Sequence, residues 1–218
     1  MEALLHRHFG YEVFRPGQRP IIESILNGHD TLAILPTGGG KSVCYQFPSY
    51  VQGEGLTLIL SPLLSLIEDQ VMQIKRRGER SVAKLTSVET RDEKEQILSV
   101  LEHLRYLYLS PEQLALPQIR ARLKQVNIAL FVVDEAHCIS QWGHEFRPEY
   151  ARLGQIRQEL GFPPCLALTA TATRAVEEDI RTQLRMRDPK VIRRSINRPE
   201  LQYVVDRVDR DEKDAVLQ

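Results

Sequence analysis

The 218-residue chain carries no excess of charge: 29 Lys and Arg stand against 29 Asp and Glu, so the global basic footprint common to nucleic-acid-binding domains is missing. Any such footprint must be local. Cysteine is scarce, and Cys44, Cys138 and Cys165 are far apart and form no C-x-x-C pair, which argues against a disulfide framework and a zinc cluster alike. A reducing compartment fits that usage. No stretch approaches the ~18 apolar residues of a membrane span, and residues 1–10 interleave Glu2, His6, Arg7 and His8 with apolar side chains, unlike a signal peptide. These absences predict an intracellular, soluble protein with no membrane partner, cytoplasmic if bacterial and nuclear if eukaryotic. Gly and Pro, 12 of each, are too few for a collagen or a linker protein, and no short repeat or low-complexity segment occurs.

With 42% hydrophobic and 27% charged residues the chain has the composition of a globular domain, and its length suits one large domain, or one plus a tail. Short apolar runs recur at Thr31–Leu35, Leu56–Leu60, Val82–Leu85, Tyr106–Leu109, Ile128–Val133 and Cys165–Leu168. They are too short for helices and mostly unalternating, as expected of strands covered on both faces. Helical stretches are predicted between them at Leu63–Arg77, Arg91–Leu104, Pro111–Gln125 and Arg174–Arg185. The alternation implies an α/β fold, an open and mainly parallel β-sheet with helices on both faces. Parallel strands all end on one edge, where such sheets bind ligands, and each run here ends in polar or turn-forming residues.

Leu35-Pro-Thr-Gly-Gly-Gly-Lys-Ser42 follows the first strand and should open a helix, the setting in which backbone N–H groups cradle phosphates. Thr37, Gly38, Gly39 and Gly40 would let the main chain approach the anion. Lys41 would reach the β- and γ-phosphates of a nucleoside triphosphate, and the Ser42 hydroxyl would help hold Mg2+. Leu35 stands where the strict G-x-x-x-x-G-K-[ST] pattern has glycine. The fifth run ends directly in Asp134-Glu-Ala-His137, which puts Asp134 at a strand tip, able to hold the metal through water, with Glu135 beside it to orient or deprotonate an attacking water. His137 is either a bridge from the γ-phosphate to the rest of the rim or a structural histidine; the spacing leaves both open.

These residues resemble superfamily-two helicases, and Asp-Glu-Ala-His-Cys-Ile-Ser-Gln-Trp-Gly-His-Glu-Phe-Arg-Pro-Glu-Tyr at 134–150 resembles the RecQ family of DNA helicases. The resemblance continues through Phe9-Gly-Tyr-Glu-Val-Phe-Arg-Pro-Gly-Gln18, Ser61-Pro-Leu-Leu-Ser-Leu-Ile-Glu-Asp-Gln70, Leu85-Thr-Ser87, Leu109-Ser-Pro-Glu-Gln113 and Leu168-Thr-Ala-Thr-Ala-Thr173. It implies a RecA-like P-loop lobe that uses ATP and Mg2+, with Tyr11 stacking on adenine, Gln18 hydrogen-bonding its exocyclic edge and Arg15 supporting that pocket. On pattern alone Tyr11–Gln18 would be a turn and a helix cap. The resemblance further implies that Gln141, Trp142, Phe146 and Arg147 belong to an aromatic-rich loop that senses single-stranded DNA, and that Ser61, Thr86, Ser87 and Ser110 bind backbone phosphates. Periodicity by itself would put Trp142, Phe146 and Tyr150 on one buried helix face; Tyr150 is expected in the core.

The basic stretch Arg181, Arg185, Arg187, Lys190, Arg193, Arg194 and Arg198 has only Asp188 against it, and reads either as a solvated face or as a DNA contact. Asn197-Arg-Pro-Glu-Leu201 resembles the family's junction between motor lobes. The expected division is therefore an N-terminal helical segment with the adenine motif at 1–27, an ATP-binding lobe at 28–197 and the start of a linker at 198–218. The resemblance implies a second RecA-like lobe, absent from this chain, and single-stranded and partially duplex DNA as partners. A nucleotide-responsive DNA-binding module without helicase activity and a DEAD-box-type RNA helicase lobe are the competing readings.

Overall fold

The computed structural model of the chain describes residues 1–142 and 146–194. The readings placed on Gly143, His144, Arg198 and the 197–218 segment lie outside the described residues. Helices α1 (Glu2–Phe9) and α2 (Gln18–Leu26) precede strand β1 (Thr31–Ile34), α3 (Lys41–Gln46) and α4 (Pro48–Gln52) precede β2 (Leu56–Leu60), and α5 (Leu64–Arg76) precedes β3 (Val82–Leu85). The chain continues through α6 (Arg91–Ser99), β4 (Tyr106–Leu109), α7 (Pro111–Leu114), α8 (Pro117–Leu123), β5 (Ile128–Val133), α9 (Leu153–Glu159), β6 (Cys165–Thr169), α10 (Arg174–Gln183) and β7 (Lys190–Arg193).

The strands form one sheet in the order β3-β4-β2-β5-β6-β1-β7, and every neighbouring pair is parallel. Their two-residue alternation divides the core. Leu56, Leu58 and Leu60 of β2 face one layer with Phe131, Val133, Leu107 and Leu109, against Leu123, Ile156 and Ile180 of α8, α9 and α10. Ile59, Leu130, Val132, Tyr106 and Tyr108 face the other, against Ile21 and Ile25 of α2 and Ile67, Val71 and Ile74 of α5. A third cluster, Leu5, Phe9, Ile22, Val43 and Phe47, seats α1 on this second layer.

Three expectations are corrected. The predicted Arg91–Leu104 helix ends at Ser99, because Val100 leaves helical dihedrals (φ −115°) and a short 3-10 turn carries Leu101 into the core. The predicted Pro111–Gln125 helix is two helices, since Pro117 has no N–H to donate and holds Leu116 extended (ψ 126°). The six-strand reading is also incomplete: Lys190–Arg193, within the basic stretch, is a seventh strand paired with β1, and its Lys190 and Arg193 side chains stay exposed, as on a solvated face. There Arg193 and Arg181 both pair with Glu177, Arg185 bonds Gln158, and the Arg187 guanidinium lies 3.9 Å from the Phe162 ring centroid.

A knot at the N-terminal edge of the sheet fixes β1, β6 and the chain entering β7. Asp30, 4% exposed, accepts from Arg157 Nη2 at 2.5 Å and from the Cys165 N–H at 2.9 Å through Oδ1, and from the Arg187 N–H at 2.7 Å through Oδ2. Arg157, 2% exposed, spends its remaining donors on the carbonyls of Pro163 and Leu184. Removing one member of such a buried pair costs about 3–5 kcal/mol because the other charge is stranded. Asp30→Ala should therefore lower the unfolding free energy measured in urea by that amount, and adding Arg157→Met should recover only part of it, since the Cys165 and Arg187 N–H groups stay unpaired. An Asp30→Ala loss below about 1 kcal/mol would remove the knot from the list of things holding the sheet together.

Candidate nucleotide site and nucleic-acid rim

Because all strands are parallel, the segments after β1, β2, β3, β4, β5 and β6 emerge on one rim, which gathers the glycine loop, Ser61, Thr86, Ser87, Ser110 and the Asp134–Glu135 pair, whereas Arg187 lies at the opposite edge beside Asp30. Strand β6 stands between the strand that leads to the glycine loop and the one that leads to the paired carboxylates. Lys41 nevertheless reaches across: its ammonium lies 3.1 Å from Glu135 Oε1, with both side chains about four-fifths buried.

The glycine loop is shaped from within and braced from outside. The Gly39 N–H turns back to the Pro36 carbonyl at 3.0 Å, and Gly40, with φ +73°, caps α3, which Lys41 and Ser42 open. Gly40 is required twice over: its φ suits glycine, and a Cβ there would stand 2.4 Å from Gln18 Nε2. That amide donates to the Gly40 carbonyl at 2.9 Å, while Gln18 Oε1 accepts from the Arg15 N–H at 2.8 Å. Arg15 Nη1 donates to the Gly38 carbonyl at 2.5 Å. Gln18, 2% exposed, is thus a buttress of the loop, its amide oxygen and one of its amide protons both engaged there. Tyr11 is 47% exposed beside this turn, and Thr37 and Gly38 are exposed at the loop tip. The turn holding Arg15 is closed by Gly17 (φ +91°), where a Cβ would meet Arg194 Cγ at 2.8 Å.

Across the rim, Asp134 is 7% exposed, and burial pushes its carboxyl up to about 6 against the opposing pull of Lys41. Glu135 follows in the left-handed region (φ 49°), a conformation costly for a residue with a Cβ, and its N–H caps Asp134 Oδ1 at 3.0 Å. The bonded His137 ring and the Lys41 charge hold the Glu135 carboxyl below the usual carboxylate range. His137 is held high, at about 10, by the Cys138 thiol and the Glu135 carboxylate. Its Nδ1 lies 3.3 Å from Glu135 Oε2 and 3.1 Å from Thr169 Oγ1. As the Thr169 hydroxyl donates to the Thr171 carbonyl at 2.9 Å, it accepts from Nδ1–H, so His137 ties the acid pair to the end of β6. The sequence offered Thr169 only as a strand end. A buried carboxylate and the Ser42 hydroxyl, half-buried at the first turn of α3, form the hard oxygen donor set that suits Mg2+.

On the rest of the rim the candidates separate. Trp142 is 77% exposed and Gln141 is exposed; Phe146 is 37% exposed, and Arg147 is half-buried with Nη1 donating to the Pro62 carbonyl at 3.2 Å. Tyr150 is fully buried, so the four-residue spacing of the aromatics does not mark one helix face. Its hydroxyl donates to the Asp134 carbonyl at 3.3 Å, a link from the aromatic segment to the acid strand that no sequence pattern signalled. Ser87 is exposed, whereas Ser61, Thr86 and Ser110 are buried. The Thr86 hydroxyl donates to Glu89 at 2.7 Å, and Ser61 Oγ has no partner among the described residues.

A family model described as DEAD/DEAH box helicase matches residues 15–179. The chain is 50% identical over its whole length to a probable ATP-dependent DNA helicase RecS of Bacillus subtilis, of which it covers 44%. It is 42% identical to the ATP-dependent DNA helicase RecQ of Pasteurella multocida, over 93% of this chain and 32% of that protein. Its fold matches the Pyrococcus furiosus Hef helicase domain with a TM-score of 0.65 at 18% identity, over 82% of this chain and 38% of that one. It also matches the Mycobacterium smegmatis helicase Lhr bound to single-stranded DNA and AMP-PNP, with a TM-score of 0.68 at 21% identity, over 88% of this chain and 28% of that one.

The raised pKa of Asp134 has a stability consequence with a definite sign. An acid whose pKa rises from 3.8 to about 6 on folding is charged in the native state at a penalty that is complete above pH 6 and fades as the pH falls toward 3.8. Asp134→Asn should therefore stabilise the metal-free chain at pH 7.5 by about 1–3 kcal/mol in urea unfolding, with the gain shrinking toward zero by pH 4. A variant less stable than the parent at pH 7.5 would show that the carboxylate is not under strain.

Proposed function

Since the chain belongs to the DEAD/DEAH box helicase family, we propose that it is the ATP-binding lobe of a RecQ-type DNA helicase, in which ATP hydrolysis drives 3′-to-5′ movement along single-stranded DNA and duplex unwinding. The chain spans less than half the length of the RecS and RecQ relatives it matches. A second lobe would then complete the cleft and supply an arginine to the γ-phosphate. In this reading residues 1–27 carry base recognition, 28–197 the nucleotide lobe and 198–218 the start of the connection onward.

The observation that carries the proposal is the convergence of Lys41, Asp134 and Glu135 across β6, with Gln18 and Arg15 bonded to the loop that presents Lys41. A triphosphate in the loop takes Lys41 away from Glu135. The freed carboxylate, held ionised by His137, then orients the attacking water or accepts its proton. Mg2+, held by Ser42 and Asp134, would supply charge neutralisation at the β- and γ-phosphates. Tyr11 offers its ring to the base, and Gln18 its remaining amide proton and lone pair. Trp142 and Phe146 offer stacking surfaces to single-stranded bases, a sequence-tolerant contact. The combination suits DNA repair and recombination, at the nucleoid in a bacterium or in the nucleus of a eukaryote.

Four experiments test the reading. ATP hydrolysis should be stimulated by single-stranded DNA in a chain extended through its natural downstream sequence, and be weak or absent in the 218-residue chain. In the extended protein Glu135→Gln should bind ATP with hydrolysis reduced about a hundredfold or more, whereas Lys41→Ala should lose productive ATP binding. Equal turnover by Glu135→Gln and the parent would remove Glu135 from the chemistry. Trp142→Ala in the same protein should keep the DNA-free ATPase and lose most of the stimulation by DNA; full stimulation would end its assignment as a DNA sensor.

A further inference from the structure

Helix α3 has six residues, and its two ends face different surroundings. Lys41 and Ser42 open it at the rim, and Gln46 closes it roughly 8 Å further along. Gln46 is 1% exposed. Its side-chain oxygen accepts from Arg77 Nη2 at 2.6 Å, and its amide nitrogen donates to the Tyr108 hydroxyl at 3.1 Å and to Gln70 Oε1 at 3.3 Å. The Tyr106 and Ser49 hydroxyls each lie 2.8 Å from its main-chain carbonyl oxygen. A flipped amide would set its nitrogen against the Arg77 guanidinium, which has donors only, so the amide has one orientation. Its partners belong to two other elements. Tyr106 and Tyr108 are on β4, which leads to Ser110, while Gln70 is on α5 and Arg77 caps it, the helix that follows Ser61. Val43, Cys44 and Tyr45 also bury α3, but burial has no preferred direction, whereas bonds to both sides of one amide fix rotation and axial position together. For stability alone such a network is dispensable, since apolar groups of the same shape in place of both partners are nearly neutral.

We propose that Gln46 is a positioning residue for ATP hydrolysis: anchored to β4 and α5, it fixes the placement of α3 and so holds Lys41 and Ser42 level with Asp134 and Glu135 across β6. The inference rests on the nucleotide reading of the rim given above. Gln46 itself touches no ligand in this arrangement. It acts through the helix that carries the phosphate and metal ligands, as a supporting hydrogen-bond shell holds a reacting group to within about half an ångström. Binding of the triphosphate is secured separately, because the glycine loop is braced by Arg15 and Gln18 rather than by Gln46. Loss of the anchor therefore leaves ATP bound and misplaces the groups that react, a fault that costs on the order of a hundredfold in rate for a displacement of about 1 Å.

The test uses the chain extended through its natural downstream sequence, with steady-state ATP hydrolysis at saturating single-stranded DNA and folded sites counted by titration with a fluorescent ATP analogue. Gln46→Leu, close in volume but unable to bond, should lower kcat about tenfold with KM within about twofold of the parent. Gln46→Glu should keep kcat within about threefold, because its carboxylate accepts from Arg77 and from the Tyr108 hydroxyl. Arg77 is exposed at the end of α5 away from the rim, and Arg77→Met keeps an aliphatic stem beside the Phe9 ring, so that variant folds. It should lower kcat in the same direction by less, and add nothing to Gln46→Leu. A Gln46→Leu protein that is only less heat-stable, with the parental kcat per folded site, overturns the proposal. So does Gln46→Glu as slow as Gln46→Leu, a KM that rises in step with the fall in kcat, or an Arg77→Met loss that adds to that of Gln46→Leu. A parent that hydrolyses no ATP overturns the nucleotide reading itself, and this proposal with it.

Discussion

Every strand of the sheet runs in the same direction, and the rest of the molecule follows from that constraint. A parallel strand needs a crossover to reach the next, so each strand from β1 to β6 is followed by a helix or a loop that lies over one face. Each crossover starts from the same edge, and six segments separated by up to about 135 residues are delivered to one line of about 2.4 nm. The glycine loop and the acid pair are distant in sequence, yet β6 alone stands between their strands, and a lysine side chain spans the gap. Had one of these strands been antiparallel, its functional segment would lie at the opposite end of the core.

The rim thus assembled holds its charges in tension before any ligand arrives. Lys41 is neutralised by Glu135, Glu135 is shared with His137, and Asp134 sits in a place that disfavours its own charge. The acid strand accepts this because its other side is anchored: Val132 and Val133 are fully buried, and the Tyr150 hydroxyl holds the Asp134 carbonyl. Lability at the chemical groups and rigidity just behind them are produced by the same strand. The left-handed backbone at Glu135 belongs to the same pattern, since a strained turn persists only where its surroundings over-determine it.

Much of this was legible in the sequence, for reasons that differ from element to element. Five of the seven strands were readable because both of their faces are buried, which turns them into bare apolar runs between polar turns, with Ile128–Val133 the plainest case; the sixth, Val82–Leu85, is an edge strand carrying half-buried Lys84, readable from its apolar ends. The seventh, Lys190–Arg193, hides because it is an edge strand of mixed character whose basic side chains find Glu177 across space. Proline broke the predicted helix at 111–125 in a way a longer reading frame passes over. At the site, Lys41, Asp134 and Glu135 were readable from strand-then-turn context. The dual use of the Gln18 amide, the Tyr150 hydroxyl on Asp134 and the Asp30 knot are long-range pairings, and a linear pattern holds no trace of which distant group a buried polar atom will meet.

Gly17 ties together two parts of the molecule that perform separate tasks. The turn it closes presents Arg15 to the glycine loop, and the space its missing side chain leaves is filled by Arg194, the residue that follows the last strand. The Arg194 side chain at the end of β7 is therefore seated against the turn that carries Arg15 and Gln18. A side chain added at position 17 would press on the Arg194 stem and on Leu35 at once, so a single substitution there would disturb the approach to the glycine loop and the end of β7 together.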